Sequence, residues 1–193
     1  FPPLIMILFS YFFCEGTKIG MGWPERFDVI EWIKLIISWD SNAQIILHGV
    51  SMGAATVLMA SGEELPENVK VIIADCGYTS EWDEFKCEAN ALHIPWFPVL
   101  NAASVLSRLR DGYDFKQASA LEKVKQSRIP TLFIHGSDDE LVPYSMLDKL
   151  YSAAACEKEC LTVNGAGHAL SSSVEPELYW NTVESFIDKY LEK

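Results

Sequence analysis

Ser51, His168 and one carboxylate of the Asp138–Asp139 pair are the residues of this chain that could carry out a reaction together. A serine hydroxyl is a weak nucleophile until a neutral imidazole takes its proton. A carboxylate behind the imidazole fixes its tautomer and stabilises its cation. Such a set performs acyl transfer: attack on an ester or related carbonyl, a covalent acyl intermediate, then release to water. Ser51 lies in Gly49-Val50-Ser51-Met52-Gly53, with glycine where a Cβ on a sharp turn would collide with neighbouring backbone.

The elements that must position these side chains are legible around them. Within Ala43–Ala60 the apolar run Ile45-Ile46-Leu47 predicts a buried strand, and the small-residue run from Ala54 predicts a helix packed close to the sheet. The serine is then the apex of a strand–turn–helix unit. The helix N-terminus directs its free N–H groups and positive dipole end at the space above it. Val69–Ala74 and Thr131–His135 predict further strands. The second is followed by the loop Gly136–Pro143 that carries the two aspartates. Glu159–Val163 predicts the last strand, which runs into Asn164–His168. All three reactive groups thus fall at C-terminal strand ends, which share one crevice in an open parallel sheet.

Helical patterns alternate with the strands. Pro24 opens one helix, whose stripe of Phe27, Ile30, Ile33 and Ile37, widened by Val29, Trp32 and Ile36, predicts core aromatics. Pro143–Ala155 predicts a second helix. Pro176–Leu191 predicts the last, with Tyr179, Val183, Phe186, Ile187 and Tyr190 on one face. Strand–helix–strand alternation predicts an α/β fold with a mostly parallel sheet flanked by helices, in a single domain over 1–193.

Residues 80–128 break that pattern. They hold Pro95 and Pro98, no strand signal, and helical runs at Pro98–Leu109 and Gln117–Val124, so they read as a helical cap insert. Trp82 and Trp96 in the insert, and Tyr78 just before it, are expected to line a substrate. Glu81, Asp83 and Glu84 would be anchors if the substrate carried an ammonium group. His48 and His135 read as structural hydrogen-bonding residues, His93 as a cap residue, and Asp75 as an alternative acid at the same sheet edge.

Bulk composition narrows the partners. The 193 residues carry a net charge of −12 and no clustered Lys/Arg, which argues against nucleic acid and against a polyanionic membrane surface. Five cysteines at spacings without metal-site character suit reduced thiols and a cytoplasmic location, with no metal. The apolar start, Pro2–Phe13, is too short for a membrane span and lacks a signal-peptide layout. Leu4–Phe9 is expected to be a buried strand, Glu15–Gly22 a glycine-rich loop, and the chain a fragment or truncated product. Oligomeric state is not legible.

From Gly16 onward the chain resembles the serine α/β-hydrolase superfamily. The resemblance rests on the G-x-S-x-G turn, the H-G-x-x-D-x-x-V-P loop from His135 to Pro143, and the closing G-A-G-H ending at His168. It is similar to the bacterial esterase, lysophospholipase-like or serine aminopeptidase-like branch. The resemblance implies Ser51 as nucleophile, His168 as base, Asp139 rather than Asp138 as acid, and the Met52 N–H as an oxyanion donor. It implies no cofactor and a small-molecule acyl substrate. The superfamily's earlier strands, and the loop that supplies a second oxyanion donor, have no counterpart here. Leu4–Phe9 is therefore expected beside the elbow strand or in the fourth-strand position. The implied activity is ester hydrolysis. The alternatives are a serine peptidase or aminopeptidase on the same three residues, or a catalytically impaired binding module.

Overall fold

The computed structural model describes residues 4–9 and 19–191. Cys14 and the start of the expected Glu15–Gly22 loop lie outside them. The strands are β1 (Leu4–Phe9), β2 (Gln44–Val50), β3 (Val69–Asp75), β4 (Thr131–Gly136) and β5 (Lys158–Val163). They form one sheet in the order β1-β2-β3-β4-β5, with every pair parallel. β1 takes the slot beside the elbow strand, in register from Leu4 opposite Gln44 to Phe9 opposite Gly49.

Period-two alternation splits the core between the two faces of the sheet. Ile45, Leu47, Ile72, Ala74 and Phe133 point to one face. There they meet α1 (Glu25–Trp39), α2 (Met52–Ala60), and two helices between the later strands. Ile46, Val71, Ile73, Leu132, Ile134 and Val163 point to the other, against Tyr179, Val183, Phe186 and Ile187 of the last helix. Helices therefore cover both faces, as parallel strands require.

The first helix corrects the predicted stripe. α1 buries Val29, Ile33 and Ile36, whereas Phe27 and Trp32 are half exposed and Trp39 more so. Two interleaved stripes fit the same sequence. The one carrying β-branched side chains faces the small residues of α2, where bulky rings would hold the helices apart.

Between β3 and β4 run α3 (Glu81–Ala91), α4 (Trp96–Asp111) and α5 (Ala120–Val124). α3 was not legible as a helix, although Ser80 caps it by accepting from the Asp83 N–H and acidic residues fill its first turn. α5 is shorter than the expected Gln117–Val124. Ser119 caps it through the Glu122 N–H, and Ala120 and Val124 are core residues, so it belongs to the body. The excursion leaves and returns at one place: Ser80 and Ser119 form an antiparallel bridge, and Trp82 N donates to Phe115 O at 3.1 Å. After β4 come α6 (Ser145–Ala153), α7 (Ser171–Val174), a turn absent from the sequence reading, and α8 (Pro176–Ile187).

Candidate active site

β2 ends at Val50 and α2 begins at Met52, which leaves Ser51 alone in the turn at φ 56°, ψ −118°. Few non-glycine residues adopt that backbone. The turn holds because a Cβ on Gly49 would stand 2.2 Å from the Gly53 carbonyl oxygen, so only glycine permits the approach. Ser51 N also donates to the Asp75 carbonyl at 2.8 Å, which fixes the apex against β3.

The structure brings Ser51, His168 and Asp139 into one hydrogen-bonded line. Ser51 Oγ lies 2.8 Å from His168 Nε2, and His168 Nδ1 lies 2.9 Å from Asp139 Oδ2. The two loops that carry the acid and the base touch closely. A Cβ on Gly136 would sit 2.1 Å from the Ala166 carbonyl oxygen. Asp138 N donates to that same oxygen, and Gly165 N donates to Ser137 Oγ. Asp138 itself is exposed and accepts from Ser137 Oγ, away from the imidazole.

Asp139 is enclosed by donors. Its Oδ1 accepts from the Leu141 and Val142 N–H groups at 3.0 and 2.9 Å. His135 Nε2 sits 2.9 Å from the Val142 carbonyl and 3.3 Å from Asp139 Oδ2. Facing two acceptors, that nitrogen carries the proton. Burial pushes the Asp139 carboxyl up, but the His135 and His168 hydrogen bonds and the Val142 N–H outweigh it and hold it well below its ordinary value. His168 moves the other way. Its hydrogen bond to Asp139 raises it above its ordinary 6.5 against the opposing effect of burial. The His168 side chain keeps 22% of its surface exposed while that of Asp139 keeps none, so solvent reaches the imidazole but not the carboxylate.

The remaining predicted residues fall in different places. Met52 is the first residue of α2, where a backbone N–H has no intrahelical partner. Tyr78 is 2% exposed and its hydroxyl donates to the Met21 carbonyl, so it is a core residue with almost no surface to offer a ligand. Trp82 and Trp96 are partly exposed, meet edge to face at 6.4 Å, and sit under Lys116 and Lys86 respectively. Asp75 does not hold His168. It accepts from Ser171 Oγ at 3.2 Å and from the Tyr179 hydroxyl, and burial raises its carboxyl to about 6. Tyr179 in turn lies 2.9 Å from His48 Nε2, a buried imidazole lowered to about 4 by desolvation. His93 is exposed.

Two further groups neighbour the site: Cys76, which the sequence did not single out, and Glu84, which it offered only as an ammonium anchor. The Cys76 sulfur, the Asp139 carboxylate and a His168 ring nitrogen all lie within 4.8 Å of one another. Burial, with Asp75 beside it, pushes the Cys76 thiol far up, so it stands as a neutral wall rather than a thiolate ligand. Glu84 on α3 buries an oxygen with no hydrogen-bond partner among the described residues and is raised to about 7, chiefly by burial and then by Glu88, while His168 pulls it down. Nothing in a lone Glu of an acidic helix start signals either burial or proximity.

The sequence pattern of the prolyl oligopeptidase family matches residues 22–193. An uncharacterised Bacillus subtilis protein, YqkD, is 29% identical over 175 residues, which is 90% of this chain and 57% of that protein. The mouse alpha/beta hydrolase domain-containing protein 17C is 30% identical over 170 residues, 83% of this chain and 45% of that one. The chain thus spans about half to three-fifths of the length of these relatives. In fold it is similar to the Pyrococcus furiosus esterase Pf2001, with a TM-score of 0.69 at 19% identity over 91% of this chain and 65% of the esterase. It is equally similar to the Pyrococcus horikoshii acylaminoacyl peptidase, at 0.69 and 16% identity over 90% of this chain and 29% of that one.

Proposed function

The chain belongs to the prolyl oligopeptidase family, and on that premise we propose that it is a serine hydrolase that cleaves carboxylic esters through an acyl-enzyme. One observation carries the reading: the unbroken line Ser51 Oγ–His168–Asp139, with its hydroxyl end open and its carboxylate end sealed. In this reading neutral His168 takes the Ser51 proton as Oγ attacks the carbonyl. The negative charge on the former carbonyl oxygen is met by the Met52 N–H at the positive end of α2. His168 then hands its proton to the departing alcohol, and a water attacks the acyl-enzyme by the same route in reverse. Asp139 keeps the Nδ1–H turned inward and stabilises the imidazolium. Trp82 and Trp96 flank the approach on the cap side, and a small acyl substrate is the expected partner. A cytoplasmic location suits the four described cysteines, all of which are free.

A second reading, peptidase or aminopeptidase action on the same residues, is favoured by Glu84. Its buried carboxyl, one oxygen of which has no partner among the described residues, lies near enough to His168 for each to shift the other and would suit a substrate ammonium. Rates on p-nitrophenyl esters against aminoacyl anilides separate the two. Labelling by a fluorophosphonate tests both: a labelled wild-type chain and an unlabelled, folded Ser51→Ala chain support the hydrolase. A folded wild-type chain that takes no label refutes it and leaves the binding-module reading.

A further inference from the structure

α4 is built inside out. Its inward residues are Leu100, Ser104 and Ser107, spaced as one helical face. Both serines are used: Ser104 Oγ accepts from Phe115 N, and Ser107 Oγ donates to the Tyr113 carbonyl. The opposite face presents Val99, Val105, Leu106 and Leu109 at 59%, 58%, 61% and 80% exposure, with Phe97 at 66% just before the first regular turn. α1 also exposes aromatic rings, but it buries an apolar stripe in the ordinary way. A helix that turns hydroxyls inward and leucines outward has its apolar partner outside the fold.

Charge identifies that partner. Residues 91–110 hold no Asp or Glu, in a chain with 27 of them, and end in Arg108 and Arg110; the helix then closes on one acid, Asp111, 4.0 Å from Arg110. At about 100° per residue these two arginines fall on opposite flanks of the Val105–Leu106–Leu109 stripe. An apolar stripe bordered by arginines, with Trp96 and Phe97 at its start, matches a helix lying in the plane of a lipid surface. There the acyl region takes the leucines and phosphates take the guanidinium groups. A second copy of this chain fits less well, because a two-fold contact through α4 would bring four arginines together against two aspartates, the Asp111 that closes each helix. The overall charge of −12 opposes a strongly anionic bilayer, which leaves zwitterionic phospholipid as the fitting surface.

We propose that α4 is a lipid-docking helix that seats the insert on a zwitterionic bilayer surface through Val105, Leu106 and Leu109. The proposal is independent of catalysis, since binding is read without turnover. The test is co-sedimentation of the full chain with vesicles of diether phosphatidylcholine, which an esterase cannot cleave. The wild-type chain should bind. Leu106→Asp/Leu109→Asp should bind at least about tenfold more weakly while keeping its melting temperature, because both side chains are already in water in the free protein. If that pair fails to fold, Val105→Ser/Leu106→Ser gives the same readout with a smaller loss. A wild-type chain that stays in the supernatant would overturn the proposal. So would folded variants that bind as well as wild type, or a wild-type dimer in sedimentation that the leucine variants convert to monomer.

Discussion

Two histidine–aspartate assemblies sit below the same sheet edge, built from similar parts and set to opposite charge states. In one, His168 and Asp139 meet at 2.9 Å, the imidazole raised and the carboxyl lowered, so that each favours its charged form. In the other, His48, Tyr179 and Asp75 are joined through the tyrosine hydroxyl, the imidazole lowered to about 4 and the carboxyl raised to about 6, so that each favours its neutral form. Residue types do not separate them. What differs is direct contact, donor supply and solvent. Asp139 collects N–H donors from Leu141, Val142 and His135, and His168 opens to water. Among the described residues Asp75 accepts from two hydroxyls, and His48 leaves Nδ1 without a partner. A catalytic pair needs the cation of its base stabilised, whereas a packing pair is cheapest uncharged.

The comparison can be broken in order of expected effect. Ser51→Ala or His168→Ala should lower kcat on a soluble ester by about five to six orders of magnitude, as for other serine nucleophile–histidine pairs, whereas His48→Gln should stay within about tenfold of wild type. Steady-state kinetics on p-nitrophenyl acetate checks this, and a large loss in His48→Gln would erase the distinction. The next largest contrast is between the acids. Asp139→Asn should lose about ten-thousand-fold, because an amide cannot fix the tautomer, while Asp75→Asn should lose little activity.

Acidity sharpens it further. The base works neutral, so kcat/KM should fall as pH drops through the His168 value, with a midpoint above 6.5 in a profile from pH 5 to 9. A flat profile would remove His168 as the base. The sealed assembly should show up in stability instead, and almost cancel itself. Between about pH 4 and 6 the unfolded chain has His48 protonated and Asp75 ionised, and the folded chain has both neutral, so proton counts match and the assembly adds little slope. Asp75→Asn leaves only the histidine, and the unfolded state then binds more protons, so stability relative to wild type should rise with pH over that window. His48→Gln leaves only the carboxyl, and stability should fall as pH rises from 4 to 6. Each slope is on the order of 1 kcal/mol per pH unit, read from urea midpoints across that range.

The division between what the sequence disclosed and what it hid follows the same line. Strand–turn–helix around Ser51, the acid loop and the closing Gly-Ala-Gly-His were legible because strained turns and close backbone approaches admit few residue types. Gly49 and Gly136 have no substitute at 2.2 and 2.1 Å from a carbonyl oxygen. The strands were legible because two-sided burial demands unbroken apolar runs. Helix faces were legible in α8, whose Tyr179, Val183, Phe186 and Ile187 are buried as expected, but not elsewhere: α1 offered two overlapping stripes and buried the one without rings, and α4 turned serines inward. His135 was legible as a structural hydrogen-bonding residue and Glu84 as an ammonium anchor, but the particular contacts of each were hidden for a different reason. Their roles depend on which loop folds back over them, and that is set by tertiary contact rather than by local spacing.

The backbone of Ser51, at φ 56° and ψ −118°, belongs by rights to glycine. Ser51→Gly should therefore raise the melting temperature slightly, by the equivalent of about 1 kcal/mol, while abolishing turnover. Durability and reactivity would then pull in opposite directions at a single α-carbon. A library screened for heat resistance alone would discard the one atom that gives the crevice a purpose.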